Sequence, residues 1–188
     1  MNLPSEKYKW LVTQIKAIEE EDDAFLNGVV FTCFSGDTTH FHYYEGEVVA
    51  KQRARVTKSG RSFTPKRTAD FEKLVKEWGS REFSGNEFPV TYPLTIDIDI
   101  DVRTADKDLL WAGNHGLTYP ANNDIDNMAK SILDALNGVL YKDDKQVVRL
   151  NLSKSWGKED GFTLMHSRAG LNKSELENFR KYWDAANG

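Results

Sequence analysis

Cysteine is almost missing from this chain: Cys33 is the single one among 188 residues. One thiol excludes an internal disulfide framework and any all-cysteine zinc site. Apolar runs approaching 18 residues are also missing, so no segment reads as a membrane span. The opening MNLPSEKYKW lacks the apolar core of a secretory signal, and a cytoplasmic location is the expectation. Internal repeats and low-complexity stretches are absent. So is an excess of positive charge: the formal net charge is −4, which taken as an average argues against a nucleic-acid partner.

The average conceals a strong pattern. Residues 1–47 carry a net charge of −6, residues 48–82 a net of +6, residues 83–123 a net of −4, and residues 124–188 balance to zero. A concentrated basic stretch, KQRARVTKSGRSFTPKR, therefore lies between two acidic ones. Hydrophobic residues at 39% and charged residues at 29% describe a globular chain rather than a disordered one. A chain of this length buries roughly 70% of the surface it exposes on unfolding, enough for one domain, alone or with an appended arm.

Periodicity places the elements. Tyr8, Leu11, Val12, Ile15 and Ile18 predict an amphipathic helix over 5–24, capped by Ser5 and stopped by Asn27-Gly28. Strands are expected at Val29–Phe34 and His40–Val49. Thr64-Pro65 reads as a helix start, with threonine as the cap, and Gly79 as its end. Residues 94–102 alternate strictly, isoleucines and a valine on one face and Asp97, Asp99 and Asp101 on the other, the mark of a half-buried strand. The aspartate row invites a cation site of its own, since alternate strand residues stand about 6.6 Å apart, but reads better as a solvent-facing polar row, for which Arg149 is a candidate partner across the sheet. Residues 103–123 read as a long irregular loop. From Asp124 to Asn137, Ile125, Met128, Ala129, Ile132, Leu133 and Leu136 form one apolar helical stripe. A short strand at Val139–Tyr141, a turn at Lys142–Lys145, a longer strand at Gln146–Trp156 and an edge strand at Phe162–His166 follow. Asn172 with Glu175 forms a capping box that opens a last helix.

Chemistry concentrates in NNDIDNMAKSILDALNGVLYKDDKQVV. On the helix wheel, Asp126, Lys130 and Asp134 lie opposite the apolar stripe. Asp124 stands two residues before Asp126; within a regular helix the two carboxylates diverge by about 200°. They converge only if Asp124 lies at the cap, in extended backbone, where free N–H groups favour a carboxylate. A helix folding back on its following strand brings the Asp143-Asp144 turn towards the helix start. Three carboxylates without histidine or cysteine make an oxygen site suited to Mg²⁺ or Mn²⁺ rather than zinc. The same residues are also compatible with plain capping and ordinary turn chemistry.

The order D-x-D-N-x-x-K, D-A-L, D-D-x-Q-V-V resembles the RusA-type Holliday-junction resolvases. The matching residues are Asp124, Asp126, Asn127 and Lys130, then Asp134-Ala135-Leu136, then Asp143, Asp144, Gln146, Val147 and Val148. Upstream, Lys51, Arg53 and Arg55 followed by Phe63-Thr64-Pro65 are similar to the family's basic K-x-R-x-R segment and T-P helix start. The resemblance covers roughly residues 40–168. It implies a small α+β fold, a mixed sheet with helices on one side, here with an N-terminal helical arm and a C-terminal helix added. It implies that Asp124, Asp126 and Asp144 hold Mg²⁺, with Lys130 as the essential basic residue. It further implies a homodimer that nicks the two strands of a four-way DNA junction symmetrically, in recombination and repair.

The expected division is an acidic helical extension over 1–38, an endonuclease domain over 39–168 and a C-terminal helix over 169–188. DNA contacts are expected from Lys51, Arg53, Arg55, Lys58, Arg61, Lys66 and Arg67. One feature departs from the family: the segment before Asp124, Leu117–Asn123, carries no charge, where lysine and arginine are frequent. Two other readings stay open. One is a catalytically weak DNA-binding or interaction protein on the same fold; the other is a Mg²⁺-dependent nucleotide hydrolase, which the basic stretch disfavours because it suits a polymer.

Overall fold

A computed structural model of the chain describes residues 5–19, 39–53, 55–56, 59–60 and 62–187. The strand expected at Val29–Phe34 and the stop at Asn27-Gly28 lie outside the described residues. In chain order the elements are α1 (Ser5–Glu19), β1 (His40–Glu45), β2 (Arg55–Val56), β3 (Ser62–Phe63), α2 (Lys66–Glu82), β4 (Leu94–Arg103) and α3 (Lys107–Asn114). Then come α4 (Ile125–Leu136), a single 3₁₀ turn at Asp144–Gln146, β5 (Val147–Gly157), β6 (Gly161–Arg168) and α5 (Lys173–Asn187).

The α+β class is as expected. Four strands form one mixed sheet in the order β1-β6-β4-β5: β6 runs antiparallel to both β1 and β4, and β4 runs parallel to β5. Strand β4 dictates the layering. Its Ile96, Ile98 and Ile100 are fully buried against Phe71, Val75 and Trp78 of α2 and Met128, Ile132 and Leu136 of α4. Each such isoleucine contributes about 1.5–3 kcal/mol by leaving water. The other face of β4 carries the aspartate row. In the sheet register Arg149 stands opposite Thr95. The parallel register instead sets Asp97 beside Asn151, Asp99 beside Ser153 and Asp101 beside Ser155, each neighbour donating a side-chain hydrogen bond, at 3.0 Å for Ser155.

Several local expectations are corrected. Strand β1 stops at Glu45, short of Val49, and Gly46 follows with φ 147°. Pro65 itself occupies the N-cap position of α2, and no side chain caps that helix. Helix α2 also runs through Gly79, which is buried. A Cβ at Gly79 would lie 2.6 Å from Leu136 Cδ2, so the glycine permits the close approach of α2 to α4 rather than ending a helix. The region 103–123 contains α3, because Asp106 caps it by accepting from the amides of Asp108 and Leu109. Val139–Tyr141 forms no strand, only bridges from Tyr141 to Val90 and Asn137. β6 is an interior strand, not an edge, since β1 pairs along its outer side.

Helices α1 and α5 pack on each other. Tyr8 stacks on Tyr182 at 5.4 Å, and Lys16 Nζ donates to the Ala186 carbonyl at 2.6 Å. The capping box forms as expected: Asn172 Oδ1 accepts from the Glu175 amide and Glu175 Oε2 from the Asn172 amide. Glu175 is fully buried and paired with Arg168 of β6, which ties α5 to the sheet. Among the described residues no helix is long and apolar enough to cross a membrane.

Candidate active site

Helix α4 presents the site, and its apolar stripe decides how. Met128, Ala129, Ile132 and Leu136 turn into the core, so Asp126 and Lys130 are held on the outer face, both exposed. Asp124 is the N-cap residue, in extended backbone with φ −74° and ψ 128°, as its chemistry requires. Its carboxylate does not cap the helix; its contact is Asn127 Nδ2 at 3.4 Å.

The acidic turn does return beside α4. Asp126, Lys130, Asp134 and Asp144 line one cavity of about 270 Å³, with Leu150 and Leu152 of β5 as its apolar wall. Tyr141 lies fully buried beneath, its hydroxyl donating to the Leu133 carbonyl at 2.6 Å. Burial, and then the negative charge of Asp144 and Asp134, push its pKa up and keep it a neutral phenol. Gln146 fixes the turn. Its Oε1 accepts from the amides of Lys142 and Asp143, and its Nε2 donates to the carbonyls of Val90 and Tyr92, both at 3.0 Å. Asp143 faces its own turn, where hydrogen bonding to the Lys145 amide lowers its pKa. That leaves Asp144 as the member of the acidic pair on the cavity wall.

Asp124 lies apart from the other two carboxylates. It lines a neighbouring polar cleft of about 240 Å³ with Asn123, Asn127, Arg67 and the segment Val49–Gln52. Among the described residues, no three carboxylates, imidazoles or thiols gather closely enough to hold a metal ion. Extended backbone at Asp124 is therefore not enough to join the carboxylates: Asp124 lines the polar cleft, and Asp126 and Asp144 line the cavity. In donor chemistry the pair Asp126 and Asp144 still fits a hard divalent cation, because the cavity offers carboxylate oxygens, is open to solvent and includes neither histidine nor cysteine.

The basic stretch meets this site at its beginning. The Lys51 amide donates to the Asn127 carbonyl at 2.8 Å, and Ser131 Oγ of α4 hydrogen-bonds the Val49 carbonyl. The individual cations differ in what they do. Lys51 is bound between Glu72 of α2 and Asp134 of α4, the latter at 2.8 Å. Arg67 pairs with Glu47. Arg53 and Lys66 are exposed. Arg55 stands on β2, which pairs with β3 in a two-stranded hairpin. Lys58 and Arg61 lie outside the described residues.

Sequence reasoning missed two contributors. Gln146 was quoted within a motif, but its four hydrogen bonds depend on where residues 90–92 run. Lys154, whose Nζ donates to the carbonyls of Asn122 and Asn123 just before Asp124, gives no signal in the sequence, because only the sheet order brings β5 beside the start of α4.

A mixed sheet covered on one face by two helices, with carboxylates and a lysine heading one helix and an acidic turn returned against it, defines the class of fold. Residues 45–165, well over half of the chain, match the family described as endodeoxyribonuclease RusA, and the chain belongs to that family. A relative in Bacillus subtilis (strain 168), the uncharacterized protein YqaN, is 35% identical over 83 residues, covering 40% of this chain and 58% of the relative.

Proposed function

We propose that this protein is a divalent-cation-dependent, structure-selective DNA endonuclease that resolves four-way junctions in recombination and repair. The observation that carries the reading is the single cavity that gathers Asp126, Lys130 and Asp144, within a chain of the RusA family and beside the start of the basic stretch. Asp126 and Asp144 are the residues that would hold Mg²⁺ or Mn²⁺, with Asp124 contributing from the adjoining cleft. When bound, such an ion lowers the pKa of an attacking water and neutralises charge on the phosphodiester.

The chain's own residues supply the rest. Lys130 forms no ion pair among the described residues, so its ammonium is available to the charge that develops on the phosphate. Lys51 neutralises Asp134, which keeps a further carboxylate in the cavity from repelling substrate. Arg53, Arg55, Lys58, Arg61, Lys66 and Arg67 are assigned to the DNA backbone. A homodimer presents two equivalent sites to a two-fold substrate, and the cytoplasm is its expected compartment. The division into 1–38, 39–168 and 169–188 belongs to the same reading.

The test is cleavage of a labelled four-way junction with Mg²⁺, with EDTA, and with Asp144→Asn. Paired symmetric nicks that require both the metal and Asp144 are expected, while Asp144→Asn still retards the junction over duplex in a gel. Full activity of Asp144→Asn or of Asp126→Asn overturns the site. Junction binding without cleavage at any Mg²⁺ or Mn²⁺ concentration transfers the protein to the non-catalytic DNA-binding class.

A further inference from the structure

The segment that leads into Asp124 has no charged residue of its own, yet a cation is fixed on it. Lys154 Nζ donates to the carbonyls of Asn122 and Asn123, at 2.9 and 2.8 Å. Asn123 is in the left-handed region, φ 60°, which asparagine tolerates better than most residues but which still requires support from its surroundings. The next residue is Asp124, whose carboxylate does not cap α4 and instead meets Asn127 Nδ2 at 3.4 Å.

Lys154 comes from a rigid element. It stands in the parallel register opposite Ile100 of the central strand β4. It shares a face of β5 with Leu150 and Leu152, which wall the Asp126–Asp144 cavity. Along that one face, β5 thus supplies the apolar wall of the cavity and then the ammonium that holds the entry to α4. Lys154 forms no ion pair among the described residues, so its two carbonyl contacts are what the side chain is used for.

We infer that Lys154 is a positioning residue for Asp124. By clamping the Asn122 and Asn123 carbonyls it holds the left-handed turn that aims the Asp124 carboxylate. This rests on the reading of Asp124, Asp126 and Asp144 as cation ligands. It also gives the uncharged segment before Asp124 a cation delivered from another strand. The two possible roles of the side chain have opposite signs. A positive charge beside a cation site opposes cation binding, so removing it by charge alone tightens binding. Removing a clamp weakens it; loss of an outer partner that orients a metal ligand typically lowers affinity about 10–100-fold.

The experiment measures Mn²⁺ binding to the DNA-free full chain, by the paramagnetic resonance signal of unbound Mn²⁺. Variants are Lys154→Met, Lys154→Arg, Asp124→Asn and Asp144→Asn, with amide hydrogen exchange at residues 122–124 as a second readout. Expected are about tenfold weaker Mn²⁺ binding and faster exchange at 122–124 in Lys154→Met, with both largely restored in Lys154→Arg. Asp144→Asn weakens binding with exchange at 122–124 unchanged. Unchanged or tighter binding in Lys154→Met, while Asp144→Asn loses affinity, overturns the inference and leaves the cation site standing. Wild-type binding in both Asp124→Asn and Asp144→Asn overturns the cation site and the inference together.

Discussion

Lys51 heads the basic stretch, and sequence alone assigns it to DNA. Its place in the fold predicts otherwise. Its ammonium lies between Glu72 and Asp134, and the three side chains are 22%, 23% and 31% exposed. Burial opposes its charge, but the hydrogen bonds to Asp134 and Glu72 outweigh that and raise its pKa. Breaking a fully buried pair costs about 3–5 kcal/mol, and an exposed pair is worth about 0–1 kcal/mol. With roughly a quarter of each group still in water, Lys51→Met is expected to destabilise the protein by about 1–3 kcal/mol. In a chain of this size that is a fall in Tm of about 3–10 °C. A phosphate contact contributes about 0.9 to the slope of log affinity against log salt. Lys51→Met is therefore expected to leave that slope unchanged, and Arg53→Ala to make it shallower by about 0.9. The assay is junction binding by fluorescence anisotropy across a salt series, in the Asp144→Asn background so that no substrate is cut. A slope about one unit shallower in Lys51→Met, with Tm unaltered, refutes the reasoning and returns Lys51 to the DNA surface.

Other perturbations test other parts of the structure. His166 is buried between His40 and His42, whose rings stack on it at 5.1 and 5.4 Å; burial first, and then those two imidazoles, hold its pKa down to about 3 against 6.5 when free. The native ring stays neutral while the unfolded chain takes up a proton below about pH 6.5, so its contribution is complete above that pH and is lost as the pH falls towards 3, by at most about 1.4 kcal/mol per unit. Urea unfolding at pH 7 and pH 5 is expected to show that loss in the wild type and a smaller one in His166→Leu; equal losses count against it. Gly79→Ala gains about 1 kcal/mol of helix propensity but sets a Cβ 2.6 Å from the buried Leu136 Cδ2. Overpacking of that kind costs about 1–3 kcal/mol, and a net loss is expected; a raised Tm contradicts the close approach of α2 to α4. Arg168→Met leaves Glu175 buried without its guanidinium, for an expected loss of about 3–5 kcal/mol. Arg168→Met with Glu175→Leu recovers part of it, and additive losses in that double variant refute the coupling.

What was legible in the sequence was what a single element dictates. The stripe from Ile125 to Leu136 required a helix and required Asp126 and Lys130 outside it. The alternation from Ile96 to Val102 required a strand with one buried face. The Asn172–Glu175 box stated its own cap. Local signals failed where tertiary contact reversed their usual meaning. Gly79 resembles a helix stop because glycine commonly ends helices, but here the missing Cβ admits Leu136 from α4. The region 103–123 departs from its reading for a local reason instead: its composition is that of a loop, but the Asp106 side chain accepts from the Asp108 and Leu109 amides and caps α3.

The site was legible only in part for a related reason. Its residue types and their spacing lie along α4 and the turn after it, and these can be read from the chain. Whether the carboxylates meet depends on backbone direction at the single residue Asp124, and on which strand stands beside it. The strand order β1-β6-β4-β5 puts β5 at the edge next to α4, and a strand 30 residues further along the chain from Asp124 thus brings Lys154 to the Asn122 and Asn123 carbonyls. No periodicity encodes that neighbour. The segment before Asp124, judged by its own composition, lacks the positive charge that its family often places there. Judged by what the sheet delivers, it has one, and the backbone geometry of the first carboxylate depends on it.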